Sequence, residues 1–318
     1  MGRIMKILVL GAGAIGGYFG GRLAEAGADV TFLVRPRRAA QIAEHGLVVR
    51  SAFGDIQQAV NTVQPGMVDG AYDVVLLSCK AYDLDDAIAA ISPGMGPQTA
   101  VLPLLNGLAH LERLDETFGV ERVLGGVAKI GATLTADGEV KHLNKVHEII
   151  FGEQQGGVSA RCRALESVLK TAKFDSRLSD NIIQDMWEKL VMLGTLAAMT
   201  CLMRAPVGHI VATEEGEALM LKAMDESVAV ATAAAHAPRP ESLQQTRDWL
   251  VARGSMFGAS MWRDIEQNGR IEGEHIVGDL VRRGRAARIP TPLLSIAYTH
   301  LQAYELRRAQ EQQQKKAA

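Results

Sequence analysis

The sequence predicts an α/β domain over residues 1–180 followed by an all-helical C-terminal domain over residues 181–318. Three observations carry this reading. The apolar run Ile7-Leu8-Val9-Leu10 passes straight into Gly11-Ala12-Gly13-Ala14-Ile15-Gly16 and then into a helical stretch ending near Gly27. Further short apolar runs, Asp29–Val34, Tyr72–Cys79 and Thr99–Leu105, each end in polar residues, the habit of parallel strands buried on both faces. From about Asn181 onward the pattern is helical, interrupted only at Arg204-Ala205-Pro206, Ala237–Pro240 and Ile289–Pro292.

The first element is a strand, a glycine turn and a helix start, in the order a Rossmann-type βαβ unit requires. Gly11 lets the chain leave the strand in a tight turn, Gly13 lets the backbone approach a pyrophosphate, and Gly16 lets the helix lie close on the strand. The free N–H groups of the helix start then face the anion. The alternative is a glycine turn of purely structural purpose. The second strand, Asp29–Val34, ends in Arg35, with Pro36, Arg37 and Arg38 behind it. That loop offers guanidinium groups and no carboxylate, so it suits the 2′-phosphate of NADP better than the ribose diol of NAD. A solvated basic loop would read the same way.

Leu47–Arg50 and Asp55–Val60 form a short extended excursion around the Phe53-Gly54 turn. Tyr72–Cys79 is a buried strand ending in Lys80, and Asp83–Ile91 is a helix stopped at Pro93-Gly94. Thr99–Leu105 is the next strand and ends in Asn106-Gly107. Polar side chains at the carboxyl ends of such strands collect at the edge of the sheet that holds the ligand crevice. Val123–Gly152, with a turn at Asp137-Gly138, reads as the last strands of the first domain, and Gln302–Ala318 as a helix fraying into a disordered end.

With 318 residues, 47% of them hydrophobic, the chain is long enough for two domains, and a net charge of −2 gives no reason to invoke nucleic acid or an anionic membrane surface. The three cysteines, Cys79, Cys162 and Cys201, stand alone, which indicates neither a disulfide framework nor a zinc site and fits a reducing, cytoplasmic setting. Met1 to Lys6 runs directly into the first strand with no signal region. The longest apolar run, Leu190 to Met203, is too short for a membrane span and reads as a buried core helix. His142 and His147 lack metal-ligand spacing, and Ser78 lacks the context of a nucleophile elbow.

Two clusters could carry chemistry. Lys189 stands at the edge of the apolar run of a helix spanning Asn181–Met203, where partial desolvation eases loss of its proton near neutral pH. A lysine in a helix is also commonly a snorkelling surface residue. Ser260-Met261-Trp262-Arg263-Asp264-Ile265 is followed by Asn268–Glu274, where Gly269 breaks the helical pattern and Glu272 can act either chemically or as a favourable N-terminal charge.

Taken in order, the glycine turn Gly11–Gly16, Leu77-Ser78-Cys79-Lys80-Ala81, Leu105-Asn106-Gly107, Trp187-Glu188-Lys189-Leu190, and Ser260-Met261 with Asp264, Gly269-Arg270 and Glu272 resemble the ketopantoate reductases (2-dehydropantoate 2-reductases). These are NADPH-dependent enzymes of pantothenate biosynthesis, and the resemblance runs from Lys6 to about Arg288. It implies that Lys189 is the proton donor to the ketone oxygen of a small 2-keto acid and that Asn106 and Glu272 complete the catalytic set. It implies cofactor contacts from Gly11, Ala12, Gly13, Ala14, Ile15, Gly16, Lys80, Asn106, Ala132 and Glu272, with Arg35 on the 2′-phosphate. Substrate would meet Asn106, Lys189 and Ser260. The chain departs from the family at Leu193, Ala197 and Val207, where well-studied members carry polar substrate contacts. Either the substrate is a less polar 2-keto acid, or other groups such as Ser260, Ser255, Thr195 and Arg270 hold ketopantoate. The long helical domain is compatible with a homodimer.

Overall fold

The computed structural model describes residues 4–317. Met1 to Arg3, whose direct entry into the first strand was expected, and Ala318 lie outside the described residues. The chain divides into two compact units, Met1–Leu105 with His110–Asp185, and Asn106–Ala109 with Met186–Ala318.

The first unit opens with β1 (Lys6–Leu10), whose Ile7, Leu8 and Val9 are fully buried, and turns through the glycines into α1 (Ala14–Glu25). After β2 (Asp29–Leu33) comes α2 (Pro36–His45), where a basic loop was expected. Pro36 occupies the first helical turn, where its missing N–H is not needed, so Arg37 and Arg38 lie on a helix rather than in a loop. β3 (Leu47–Arg50) and β4 (Ile56–Gln58) pair antiparallel, as the Phe53-Gly54 turn foretold, and β5 (Asn61–Val63) follows. β6 (Tyr72–Leu77), α3 (Leu84–Ile91) and β7 (Met95–Pro103) match the expected strand, helix and strand. The unit is completed by most of α4 (Ala109–Phe118), the hairpin β8 (Leu124–Leu134) and β9 (Val140–Glu153), α5 (Ala160–Leu169) and β10 (Asp175–Leu178).

These strands make two sheets. The parallel sheet has the order β5-β2-β1-β6-β7. The second has the order β10-β9-β3-β4, with β8 on β9. The hairpin read as the last strands of the first domain therefore belongs to the second sheet, together with β3, β4 and β10. The reason is the length of β9: one end pairs with β3 and the other with β10, while β8 runs antiparallel along it. α1 is packed between the two sheets. A Cβ on Gly20 would meet the Phe32 ring at 2.7 Å and Val9 at 3.1 Å, while one on Gly21 would meet Leu47 at 3.0 Å. The glycine-rich face of α1 is thus a close-packing device, and one apolar cluster runs from Ile7 and Phe32 through Phe19 to Leu47, Ile149 and Phe151.

The second unit is helical: most of α6 (Ile182–Met203), then α7 (Val207–Ile210), α8 (Gly216–Ala233), α9 (Pro240–Leu250), α10 (Ser260–Glu266), α11 (Val277–Ala286) and α12 (Pro292–Ala317). Among the described residues α6 alone is long and apolar enough to cross a membrane, but it is mostly buried in protein, as a core helix should be. α8 packs against α7, α9, α11 and α12. Its buried Glu226 accepts the N–H groups of Leu293 and Leu294 at 3.0 Å each, satisfying donors that the start of α12 cannot satisfy internally. The last residues were expected to fray, yet helix continues to Ala317. Their Gln, Glu, Lys, Arg and Ala content favours helix, and Arg307–Glu311 and Arg308–Glu305 pair one turn apart.

Candidate functional site

In the parallel sheet the chain reverses direction of progress between β1 and β6, and ligands of open α/β sheets bind at the carboxyl ends of such strands. β1 ends there in Gly11, whose positive φ of 87° needs a glycine, and the Gly11 N–H donates to the Leu33 carbonyl at 2.9 Å. β6 ends in Ser78, whose hydroxyl donates to the Leu10 carbonyl at 2.8 Å. A Cβ on Gly16 would lie 2.2 Å from the Gly11 carbonyl oxygen and 2.3 Å from Ser78 Oγ. Ser78 is therefore part of the scaffold under the glycine turn, not a nucleophile. By contrast, nothing lies within 4 Å of a Cβ built on Gly13, and Gly13 caps α1 without a side chain to occupy the helix's first amides. An open glycine in front of uncapped amides fits a dinucleotide's pyrophosphate. Ala12 is buried, and Gly11, Gly13, Ala14 and Ile15 are half-buried around that opening.

The basic residues after β2 have different fates. The Arg35 side chain is 72% exposed and pairs with Asp83 at 3.2 Å, so a carboxylate does stand near this strand end, brought by the segment after β6. An exposed pair of this kind is weak enough to leave Arg35 available to a phosphate. Arg37 is exposed. Arg38 turns inward: Nε donates to the Ala12 carbonyl at 3.0 Å and Nη1 to the Gly138 carbonyl at 2.7 Å, and burial lowers its pKa. Lys80 is half-buried and opens the short helical turn Ala81–Asp83. Ala132 lies on β8 opposite His142, in the second sheet.

In the second unit the structure brings together two of the expected residues and the segment that carries a third. Lys189 Nζ, half-buried on α6, donates to Asn106 Oδ1 at 2.9 Å. Gly107 follows with φ of 86°, and a Cβ there would lie 2.7 Å from the His275 carbonyl oxygen. The segment 272–276 thus lies against Asn106-Gly107, and His275 and Ile276 donate their amides to the Glu272 carbonyl at 3.1 and 3.2 Å. Glu272 itself is 5% exposed. Gly107, read in the sequence directly after the strand end, must be glycine, since only glycine tolerates both that backbone conformation and that contact.

Ser260 starts α10 and is half-buried. Its neighbour Ala259 donates to Thr200 Oγ1 of α6 at 3.4 Å, while Val207 and Gly208 donate to the carbonyls of Phe257 and Ser255 at 2.9 and 2.8 Å. The 255–260 segment is therefore fastened to α6 and α7. Lys189, Leu193 and Ala197 follow one another at single-turn steps on α6, and Leu193 is half-buried whereas Ala197 and Val207 are fully buried. Thr195, one of the groups that could have replaced the missing polar contacts, is fully buried and spends its hydroxyl on the Val191 carbonyl at 2.8 Å and Ser227 Oγ at 2.9 Å. Glu188, beside Lys189, holds Arg239 through two charged contacts of 2.7 and 2.6 Å and is a structural anchor. Burial pushes the Cys162 thiol up to about 11 and Cys201 to about 12, which leaves neither as a thiolate nucleophile.

Comparison with known proteins agrees with these features along almost the whole chain. Residues 7–156 match the family model of ketopantoate reductase PanE/ApbA, and residues 181–305 match the model of its C-terminal domain. An uncharacterized oxidoreductase of Bacillus subtilis, YkpB, is 35% identical over 301 residues, spanning 95% of this chain and 99% of its own. A crystal structure of 2-dehydropantoate 2-reductase from Geobacter metallireducens superimposes with a TM-score of 0.86 at 31% identity, covering 94% of this chain and 99% of that one. A ternary structure of D-mandelate dehydrogenase with NADH and anilino(oxo)acetate shares the fold, with a TM-score of 0.87 at 23% identity over 96% of this chain and 100% of that one. The α/β unit with its open glycine turn, the helical unit with its paired lysine and asparagine, and this agreement over both parts establish that the chain belongs to the ketopantoate reductase family of oxidoreductases.

Proposed function

We propose that the protein uses NADPH to reduce a 2-keto acid, with 2-dehydropantoate as the first substrate to test and pantoate as its product in pantothenate biosynthesis. The observation that carries the reading is the 2.9 Å hydrogen bond from Lys189 Nζ to Asn106 Oδ1. When bound, the nicotinamide supplies the hydride that the keto carbon accepts. Gly11–Gly16 hold its pyrophosphate at the start of α1, and Arg35 meets the 2′-phosphate that separates NADPH from NADH. The Lys189 ammonium stabilises the negative charge that develops on the keto oxygen and gives that oxygen its proton. With Oδ1 engaged by Lys189, the Asn106 amide retains its N–H groups to orient the substrate. Glu272 keeps a buried carboxylate next to this pair of segments, and Ser260 supplies a hydroxyl to the substrate from the segment fastened to α6.

A second reading, a less polar 2-keto acid, rests on a separate observation. Leu193 stands one turn from Lys189, Thr195 offers no free hydroxyl, and the 255–260 segment presents Met256 and Phe257 at 68% and 40% exposure. The test is NADPH oxidation with 2-dehydropantoate beside branched and aryl 2-keto acids, in wild type and Lys189→Ala. Highest kcat/KM for 2-dehydropantoate, abolished in the variant, supports the first reading. A preference for apolar side chains supports the second, and turnover that survives Lys189→Ala would overturn the assignment of the proton donor. Light scattering after size exclusion tests the homodimer that we propose alongside.

A further inference from the structure

The three arginines after β2 look alike in the sequence, but the structure assigns them opposite tasks, and we propose that Arg38 is a positioning residue for the glycine turn and not a ligand of the 2′-phosphate. The inference rests on the reading of Gly11–Gly16 as a pyrophosphate site. Every nitrogen of the Arg38 guanidinium is turned into the protein. Nε donates to the Ala12 carbonyl at 3.0 Å, Nη1 donates to the Gly138 carbonyl at 2.7 Å, and Nη2 is buried with no partner among the described residues. Gln41, one turn further along α2, adds a contact from its amide to the Ala136 carbonyl at 3.4 Å. The guanidinium therefore ties α2, the glycine turn and the β8–β9 turn together.

The hold on Ala12 has a directional consequence. The Ala12–Gly13 peptide is trans, so its C=O and N–H point in opposite directions. With the carbonyl fixed on Arg38, the Gly13 N–H must face away from α2, at the residue that caps α1 and carries nothing within 4 Å of its Cβ position. A charged donor on the carbonyl also polarises the peptide and strengthens its N–H as a donor. Arg38 thus sets both the aim and the strength of an amide in front of the pyrophosphate, a group common to NADPH and NADH. Arg35, exposed at the strand end, is left to sense the 2′-phosphate.

The test is direct binding of NADPH and NADH, by nucleotide fluorescence without keto acid, to wild type, Arg38→Met, Arg38→Lys and Arg35→Gln, together with steady-state KM and kcat. Arg38→Met should weaken NADPH and NADH by the same factor, about tenfold, and raise cofactor KM with kcat little changed. Arg35→Gln should weaken NADPH alone. Arg38→Lys keeps the charge but not the two-pronged reach, and should lie between wild type and Arg38→Met; it carries the test if Arg38→Met does not fold. A loss confined to NADPH in either Arg38 variant would make Arg38 a phosphate ligand and overturn the proposal, as would unchanged affinity for both nucleotides. Wild type that binds neither nucleotide would instead bring down the cofactor reading on which the proposal stands.

Discussion

Gly13 and Gly16 sit one helical turn apart in the same glycine turn, and substituting each with alanine should have different outcomes. At Gly16 the added methyl would lie 2.2 Å from the Gly11 carbonyl oxygen and 2.3 Å from Ser78 Oγ. The serine could rotate only by giving up its bond to the Leu10 carbonyl, and the Gly11 carbonyl is main chain. The turn must therefore move by about 1 Å to reach an ordinary contact, at the cost of about 1–3 kcal/mol for overpacking. That predicts a fall in melting temperature of about 2–4 °C per kcal/mol. Displaced amides would also lose nucleotide affinity by about one to two orders of magnitude. At Gly13 the methyl meets nothing, and the φ of −84° is open to any residue, so stability should stay within about 0.5 kcal/mol of wild type. Affinity for NADPH should nonetheless fall by at least about tenfold, because the methyl fills the space into which the pyrophosphate would come. Thermal melting of the free protein and fluorescence titration with NADPH separate the two effects. Gly13→Ala that binds NADPH like wild type, or Gly16→Ala that melts like wild type, would refute the division of labour.

Other expectations follow from the same structure. Lys189→Ala should lower kcat by about two to four orders of magnitude while the melting temperature holds, read by NADPH oxidation. Glu226→Ala, which strands two amides at the start of α12, one of them fully buried, should cost about 2–4 kcal/mol in urea unfolding, with Glu226→Gln intermediate. Leu193→Asn should shift relative kcat/KM towards 2-dehydropantoate and away from apolar keto acids; an unchanged ratio would remove Leu193 from the specificity determinants. Burial, reinforced by the neighbouring His142, holds the His147 imidazole below the ordinary histidine pKa. The unfolded chain therefore takes up that proton first as pH falls, so stability is full above the ordinary value and declines below it. His147→Phe should flatten that decline, measured by melting between pH 8 and 5.

Legibility in the sequence followed the reach of the interactions. β1, its glycine turn and α1 could be read because their contacts are local, and so could the buried strands β6 and β7 and the core helix α6. α2 was hidden because its moderate polarity and its two arginines, directly after Arg35, look like a loop until Pro36 is recognised as a helix start. The second sheet was hidden because β9 draws its partners from distant segments, β3 and β10, by pairings no local pattern records. The site divides in the same way. The close packing at Gly16 could be read from spacing, but the inward turn of Arg38 depends on Gly138, 100 residues away, and the bond between Lys189 and Asn106 spans 83 residues. Lys189 alone resembles any helix lysine, and only the fold supplies its partner.

The four residues Asn106–Ala109 belong to the second unit although the chain on both sides of them belongs to the first. A gene segment cut near residue 181, where the family's C-terminal model begins, would carry Lys189 without the amide it is bonded to. Such a fragment could keep its helices and still lack half of the pair. Shuffling the two parts as independent modules would separate a hydrogen-bonded pair that folding had joined.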